Sequence, residues 1–139
     1  MGHRISFICI DSNRMLIIMV QIFRANDTEE IVKKGYTARY VADVEFRENL
    51  DSGGFIIVNV AAGTKTEPHK HGKLEEVFVI LSDMKMYIDS TMYELGKGDV
   101  VLVAPNESHS FEAPENSSAS IMAIKFPNLK NDRISMDDQ

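Results

Sequence analysis

Two histidines one residue apart, His69 and His71, sit in "GTKTEPHKHGKLEE", and two carboxylates, Glu75 and Glu76, follow after three and four intervening residues. If this stretch is a strand, residues i and i+2 project to one face, so both imidazoles point the same way. The apolar run "VFVIL" begins directly after the glutamates and belongs in a core. A carboxylate at the mouth of such a strand needs a partner or a cation. His109, in "GDVVLVAPNESHSF", follows a strand, a turn and a short return, where an adjacent strand can bring it beside the first pair. Imidazoles with a carboxylate and no thiolate suit one divalent transition metal: Fe, Mn, Ni, Co or Zn. Three histidines and one glutamate also leave coordination positions open, as catalysis requires. Taken alone, an HxH pair in a lysine-rich loop is more often a solvated turn than a metal site, so the surrounding chain must decide.

At 139 residues the chain has room for one ordinary domain and not for two. Apolar residues at 44% against 26% charged describe a globular fold whose core, without Trp, must come from Phe, Tyr, Met, Ile and Val. The net charge of −6, with no cluster of Lys and Arg, argues against nucleic acid or anionic membrane as the main partner. The expected partner is a small molecule. Cys9 is the only cysteine, so no intramolecular disulfide and no CxxC metal site can form, and its role is packing. The N-terminal stretch "MGHRISFICIDSNRMLIIMVQIF" has two apolar patches, but Asp11 and Arg14 interrupt them and no small-residue cleavage site follows. Its longest apolar run, residues 15–23, is too short to span a bilayer. The stretch reads as a buried or subunit-pairing strand of a cytoplasmic protein. An apolar strand with nothing of its own to cover predicts a homodimer.

The elements that must position the histidines are strands. "NDTEEIVKKG", residues 26–35, predicts one short helix, with Asn26 or Asp27 as cap, Glu29 and Glu30 in its positive first turn, and lysines before a terminal Gly35. After it come short apolar runs separated by turn residues: "FIIVNVAAG", "EEVFVIL", "KMYID", "TMYEL", "GKGDVVLVAP", "SHSFEAP" and "SASIMAIKF". Even spacing of this kind indicates an all-β sandwich or barrel. The expected division is an N-terminal pairing segment over residues 1–25, the barrel with its leading helix over 26–127, and a polar tail over 128–139 that could fold over an opening.

At this point both histidine segments resemble the motifs of the cupin superfamily. Gly63, "TKTEP", His69-Lys-His71, "GKL" and Glu75 follow the first motif, with Ser82 where the family closes on Gly. Gly98, "DVVLV", Ala104-Pro-Asn106, "ES" and His109 follow the second, with Ala104 for Pro, Asn106 for Gly and Ala113 for Asn. Asn tolerates the left-handed backbone that a turn Gly supplies. Between the motifs, "DMKMYIDSTMYELGK" resembles the family's hairpin, with a two-residue turn near Asp89-Ser90. The resemblance covers about half the chain and implies a double-stranded β-barrel of cupin or jelly-roll type. It implies a metal inside one mouth, held by His69, His71, Glu75 and His109. A one-residue shift would put Glu76 in the place of Glu75, since only one of the two can face inward.

Inward-facing positions around that metal would line a substrate cavity, the candidates being Phe55, Ile57, Asn59, Phe78, Met84, Met86 and Phe111. Asn59 and Asn106 are the polar groups that could orient a ligand. The resemblance implies a metal-dependent enzyme of dioxygenase, decarboxylase or isomerase type acting on a small oxygenated or anionic metabolite. No separate catalytic acid or base stands out, since Glu67 and the outward glutamate read as surface charges. The alternative is a non-catalytic module that binds or senses a small molecule in the same cavity, because one fold carries many functions.

Overall fold

The computed structural model describes residues 8–11, 14–17, 20–34, 36–39, 41–42 and 50–136. Runs rich in Val, Ile, Phe and Tyr become strands here because branched and aromatic side chains pack well on a pleated surface. In chain order these are β1 (Ile8–Asp11), β2 (Arg14–Ile17), β3 (Gln21–Phe23), β4 (Glu30–Lys33), β5 (Tyr36–Arg39), β6 (Gly54–Val60), β7 (His69–His71) and β8 (Glu75–Ile80). They continue as β9 (Met84–Ile88), β10 (Thr91–Leu95), β11 (Val100–Val103), β12 (His109–Glu112), β13 (Ala119–Phe126) and β14 (Arg133–Ser135). Ten of them form two antiparallel five-stranded sheets, ordered β10-β9-β12-β7-β14 and β3-β11-β8-β13-β6, while β1-β2 and β4-β5 are separate hairpins. The two sheets close on one another as the expected double-stranded barrel.

The core lies between the sheets. Phe78, Ile80, Val101, Ile121 and Ala123 from one wall meet Met84, Met86, Ile88 and Phe111 from the other, all buried. Alternation along each strand produces this: Met84, Met86 and Ile88 point in, while Lys85 between them is exposed. The β9–β10 hairpin turns at Asp89-Ser90 as expected, with Ile88 opposite Thr91 and φ of 45° and 72° at the two turn residues. Positive φ at both central positions is what a two-residue hairpin turn demands.

Two buried carboxylates tie the N-terminal strand to the barrel. Glu107 accepts the backbone N–H groups of Val20 at 3.1 Å and Ala104 at 2.8 Å. Asp99 accepts those of Ala25 at 2.9 Å and Gly96 at 2.7 Å, and pairs with Arg24 at 3.3 Å. With these anchors β3 lies against β11, and its Ile22 is buried in the chain's own core.

The helix expected over residues 26–35 is not formed. Ala25–Asp27 make a single 3-10 turn, and β4 then pairs with β5, with Lys33 opposite Tyr36. A ten-residue helix is marginal unless it buries an apolar face. Here the only large apolar residues are the adjacent Ile31 and Val32, which lie on no common helical stripe, are β-branched, and remain exposed. Cap-like Asn26 and Asp27 serve the turn instead. Among the described residues no helix is long and apolar enough to cross a membrane.

Candidate metal centre

β7 is three residues long, bounded by Pro68 on one side and Gly72 on the other, and it carries the HxH pair. Within the sheet His69 lies directly opposite His109 of β12, so their side chains share the inner face, and His71 joins them two residues along. The ring centroids are 4.4 Å apart for His69 and His109, 5.2 Å for His69 and His71, and 5.5 Å for His71 and His109. One nitrogen from each ring falls within 4.8 Å of the others. The fourth group comes from the facing sheet. Glu76 of β8 places Oε1 3.1 Å from His71 Nε2 and 3.3 Å from His109 Nε2.

Of the two glutamates, then, it is Glu76 that reaches the histidines, and the expected choice of Glu75 is corrected. Residues of β8 alternate, with Glu76, Phe78 and Ile80 turned toward the histidines and core. Glu75 is buried on the opposite face of the strand. The spacing after His71 is therefore four intervening residues rather than three.

Three of the four groups are almost fully buried. His71, His109 and Glu76 are each under 5% exposed. Despite their proximity, His69 Nδ1, both nitrogens of His71, His109 Nε2 and Glu76 Oε1 are buried without a hydrogen bond of acceptable geometry. A buried polar atom left without a partner costs about 1–3 kcal/mol, and several gathered at one site are not a stable arrangement by themselves. A divalent cation would satisfy those facing the centre together, so the donor set fits the metal that the motif implies. His109 Nδ1 faces the carbonyl oxygen of Glu107 at 3.4 Å, which leaves Nε2 directed at the centre. Burial, then the neighbouring His109, Arg133 and His71, lower His69 to about 4, so it is a neutral donor at ordinary pH. Burial opposes ionisation of Glu76, but contacts from His109 and His71 outweigh it and hold the carboxyl at about 2. A neutral His69 and an ionised Glu76 are the protonation states in which those two groups bind a metal.

Adjacent turns hold these groups in place. The N–H groups of Lys73 and Leu74 donate to the carboxylate of Asp132 at 2.8 and 2.9 Å, fixing the loop between His71 and Glu76. Asn106 stands in the left-handed region at φ 69°, and its N–H donates to the carbonyl of His71 at 2.7 Å. It thus serves the backbone turn rather than a ligand.

A cavity of about 290 Å³ opens on the centre. Its walls are Ile56, Val58, Phe78, Phe111 and Ala123, and its rim carries Thr66, Glu67, Lys125 and Arg133. Of the residues expected to line it, Phe78 and Phe111 do. Phe78 packs at 5.2 Å against both the His109 ring and Phe111. Phe55, Ile57 and Asn59 do not, because β6 is one residue out of the expected phase: Ile56 and Val58 face in, and Phe55 and Ile57 are left exposed. Asn59 instead accepts a hydrogen bond from the Ser120 hydroxyl at 2.7 Å on the outer face. Met84 and Met86 are core residues outside this cavity. "GFIIVNV" gives no parity signal, since its apolar residues run consecutively. Lys125 and Arg133 carried a weak signal only: Lys125 continues the period-two series Ala119, Ile121, Ala123.

Comparison with known proteins agrees with this architecture. A 69-residue stretch is 33% identical to an uncharacterised protein of Methanocaldococcus jannaschii, covering 49% of this chain and 55% of that relative, so the match spans about half of the relative's length. A cupin protein of Bacteroides fragilis superposes with a TM-score of 0.53 at 26% identity, over 65% of this chain and 78% of the other. A dTDP sugar isomerase of Desulfovibrio desulfuricans superposes with a TM-score of 0.62 over 84% and 82% of the two chains; at 11% identity this is a likeness of fold. Residues 56–125 match the Cupin domain family, a span that contains both histidine motifs and the hairpin between them. The chain that builds this barrel and gathers its histidines at one mouth belongs to the cupin family.

Proposed function

We propose that this protein is a metal-dependent enzyme that acts on a small oxygenated or anionic metabolite inside the barrel, with chemistry of dioxygenase, decarboxylase or isomerase type. The observation that carries this reading is the convergence of three histidines and a carboxylate, with buried nitrogens and oxygen lacking hydrogen bonds, at the floor of an open cavity. His69, His71, Glu76 and His109 hold one divalent transition metal, which supplies Lewis acidity, or activation of O₂ where the metal is redox-active. Four protein donors would leave positions for substrate oxygens on a six-coordinate metal, whereas they would saturate a tetrahedral one. The buried rings of Phe78 and Phe111 shield the centre from water and strengthen its electrostatics.

The protein acts as a homodimer in this reading; Ile22 and Phe23 of the expected pairing segment are buried, and the side chains of residues 15–19 lie outside the described residues. The better surface is the outer face of the second sheet. There the row Ile57–Met122–Val79–Val100 runs in register across four strands with no charged residue. Ile57 and Phe55 at its edge are exposed. Such a face packs against a two-fold copy of itself, apolar on apolar. A cytoplasmic setting accords with the single cysteine.

The test is elemental analysis of purified protein, wild type beside His71→Ala, followed by a metabolite screen under O₂ and under argon. Near-stoichiometric metal that is absent from His71→Ala, with turnover of an organic substrate, is the expected result. A protein that takes up no metal after reconstitution sinks the enzyme reading. Stoichiometric metal with ligand binding but no turnover would favour the binding module.

A further inference from the structure

The rim of the metal-site cavity carries two cations whose positions follow from strand register. Lys125 of β13 stands opposite Glu76 of β8, and Arg133 of β14 stands opposite His71 of β7. Directly opposed residues share a face, so both side chains belong to the wall that bears the metal ligands, and both border the cavity. They come from opposite sheets, one on each side of the opening. Among the described residues neither forms a salt bridge, in contrast to Arg24 with Asp99 and Lys85 with Glu112. The lining also carries two carboxylates, the exposed Glu67 at the rim and Glu76 among the metal ligands, so a divalent metal held at Glu76 would leave the cavity net positive in a chain of net charge −6.

An unpaired arginine and lysine at the mouth of a small cavity are an anion-recognition device. Guanidinium matches a carboxylate through two parallel N–H···O bonds, whereas the ammonium acts as a point charge. Between rim and metal ligands the walls are aliphatic and aromatic, and the volume of about 290 Å³ is at the lower end for small-molecule sites. Resting on the metal-site reading above, we propose that the substrate is a short organic acid whose carboxylate is bound at the rim by Arg133, assisted by Lys125, while its other polar end reaches the metal. Arg133 thereby sets substrate specificity. The C-terminal strand, which also brings Asp132 to the loop between His71 and Glu76, is part of the substrate site.

The probe is succinate, with its neutral diamide succinamide and inorganic phosphate as comparators. Each is titrated calorimetrically into cobalt-loaded and metal-free protein. The variants are Arg133→Gln, Arg133→Lys and Lys125→Gln, with cobalt content and thermal melting as controls for site and fold. Succinate is expected to bind the loaded wild type at least tenfold more tightly than succinamide. Arg133→Gln abolishes that preference, Arg133→Lys restores part of it, and Lys125→Gln weakens it less, all with unchanged cobalt content. The inference is overturned if wild type fails to prefer succinate, if Arg133→Gln binds it normally, or if phosphate binds more tightly through the same residues. Should no cobalt bind, the metal reading fails separately. The succinate preference of metal-free protein and its loss in Arg133→Gln then judge the rim on its own.

Discussion

At His69 the surroundings select the neutral ring, and this makes acid the condition under which the centre comes apart. Its folded value of about 4 lies below the ordinary 6.5, so between those pH values the unfolded chain binds a proton that the folded chain does not. Its contribution to stability is complete above pH 6.5 and is lost as pH falls toward 4. Glu76 behaves the same way lower down, its contribution present above 4.5 and lost toward about 2. Thermal melts of metal-free protein from pH 7.5 to 4 should show the midpoint falling through the first window, and His69→Asn should flatten that fall. Metal affinity should drop over the same range, since protons compete for the ligand nitrogens. The choice between the two glutamates is tested directly: Glu76→Gln should lower metal affinity at least about tenfold, as loss of a charged donor implies, while Glu75→Gln should leave occupancy unchanged. Equal losses in both would show that Glu75 matters through the fold.

At the scale of elements, the site depends on a loop anchored by Asp132, a residue outside both histidine motifs. Asp132 receives backbone N–H groups from the loop joining β7 to β8, so Asp132→Ala should destabilise the protein by about 1.5–3 kcal/mol in urea unfolding, the range for hydrogen bonds to a charged group. It should also weaken metal binding by letting His71 and Glu76 drift. The β9–β10 turn offers the opposite experiment. Ser90 sits at φ 72°, where glycine has no steric penalty, and Ser90→Gly should stabilise by about 0.5–1 kcal/mol on the same denaturation curve. These strands were readable from alternation, and the hairpin from its turn residues. The segment over residues 26–35 misled because its end signals were those of a helix while its middle, "EIVK", had no buried face to offer one.

For the whole molecule, the outer face of the second sheet predicts association. Light scattering at micromolar concentration should give twice the chain mass, and Ile57→Asp, at the exposed end of the apolar row, should return it to the monomer with melting little changed. A monomeric wild type would count against the proposal.

What the amino-acid sequence determined by itself is the class of fold and, through the resemblance of its two histidine motifs, the cupin family and the three histidines that could hold a metal, since spacing, periodicity and turn chemistry are local properties of the chain. What the tertiary structure decided is phase and company. A strand's period of two makes a one-residue shift exchange its faces, so Glu76 replaced Glu75, and Ile56 and Val58 replaced Phe55 and Ile57. Lys125 and Arg133 reach the cavity only because β13 and β14 are laid beside β8 and β7, a pairing between segments far apart in the chain that no short-range pattern encodes.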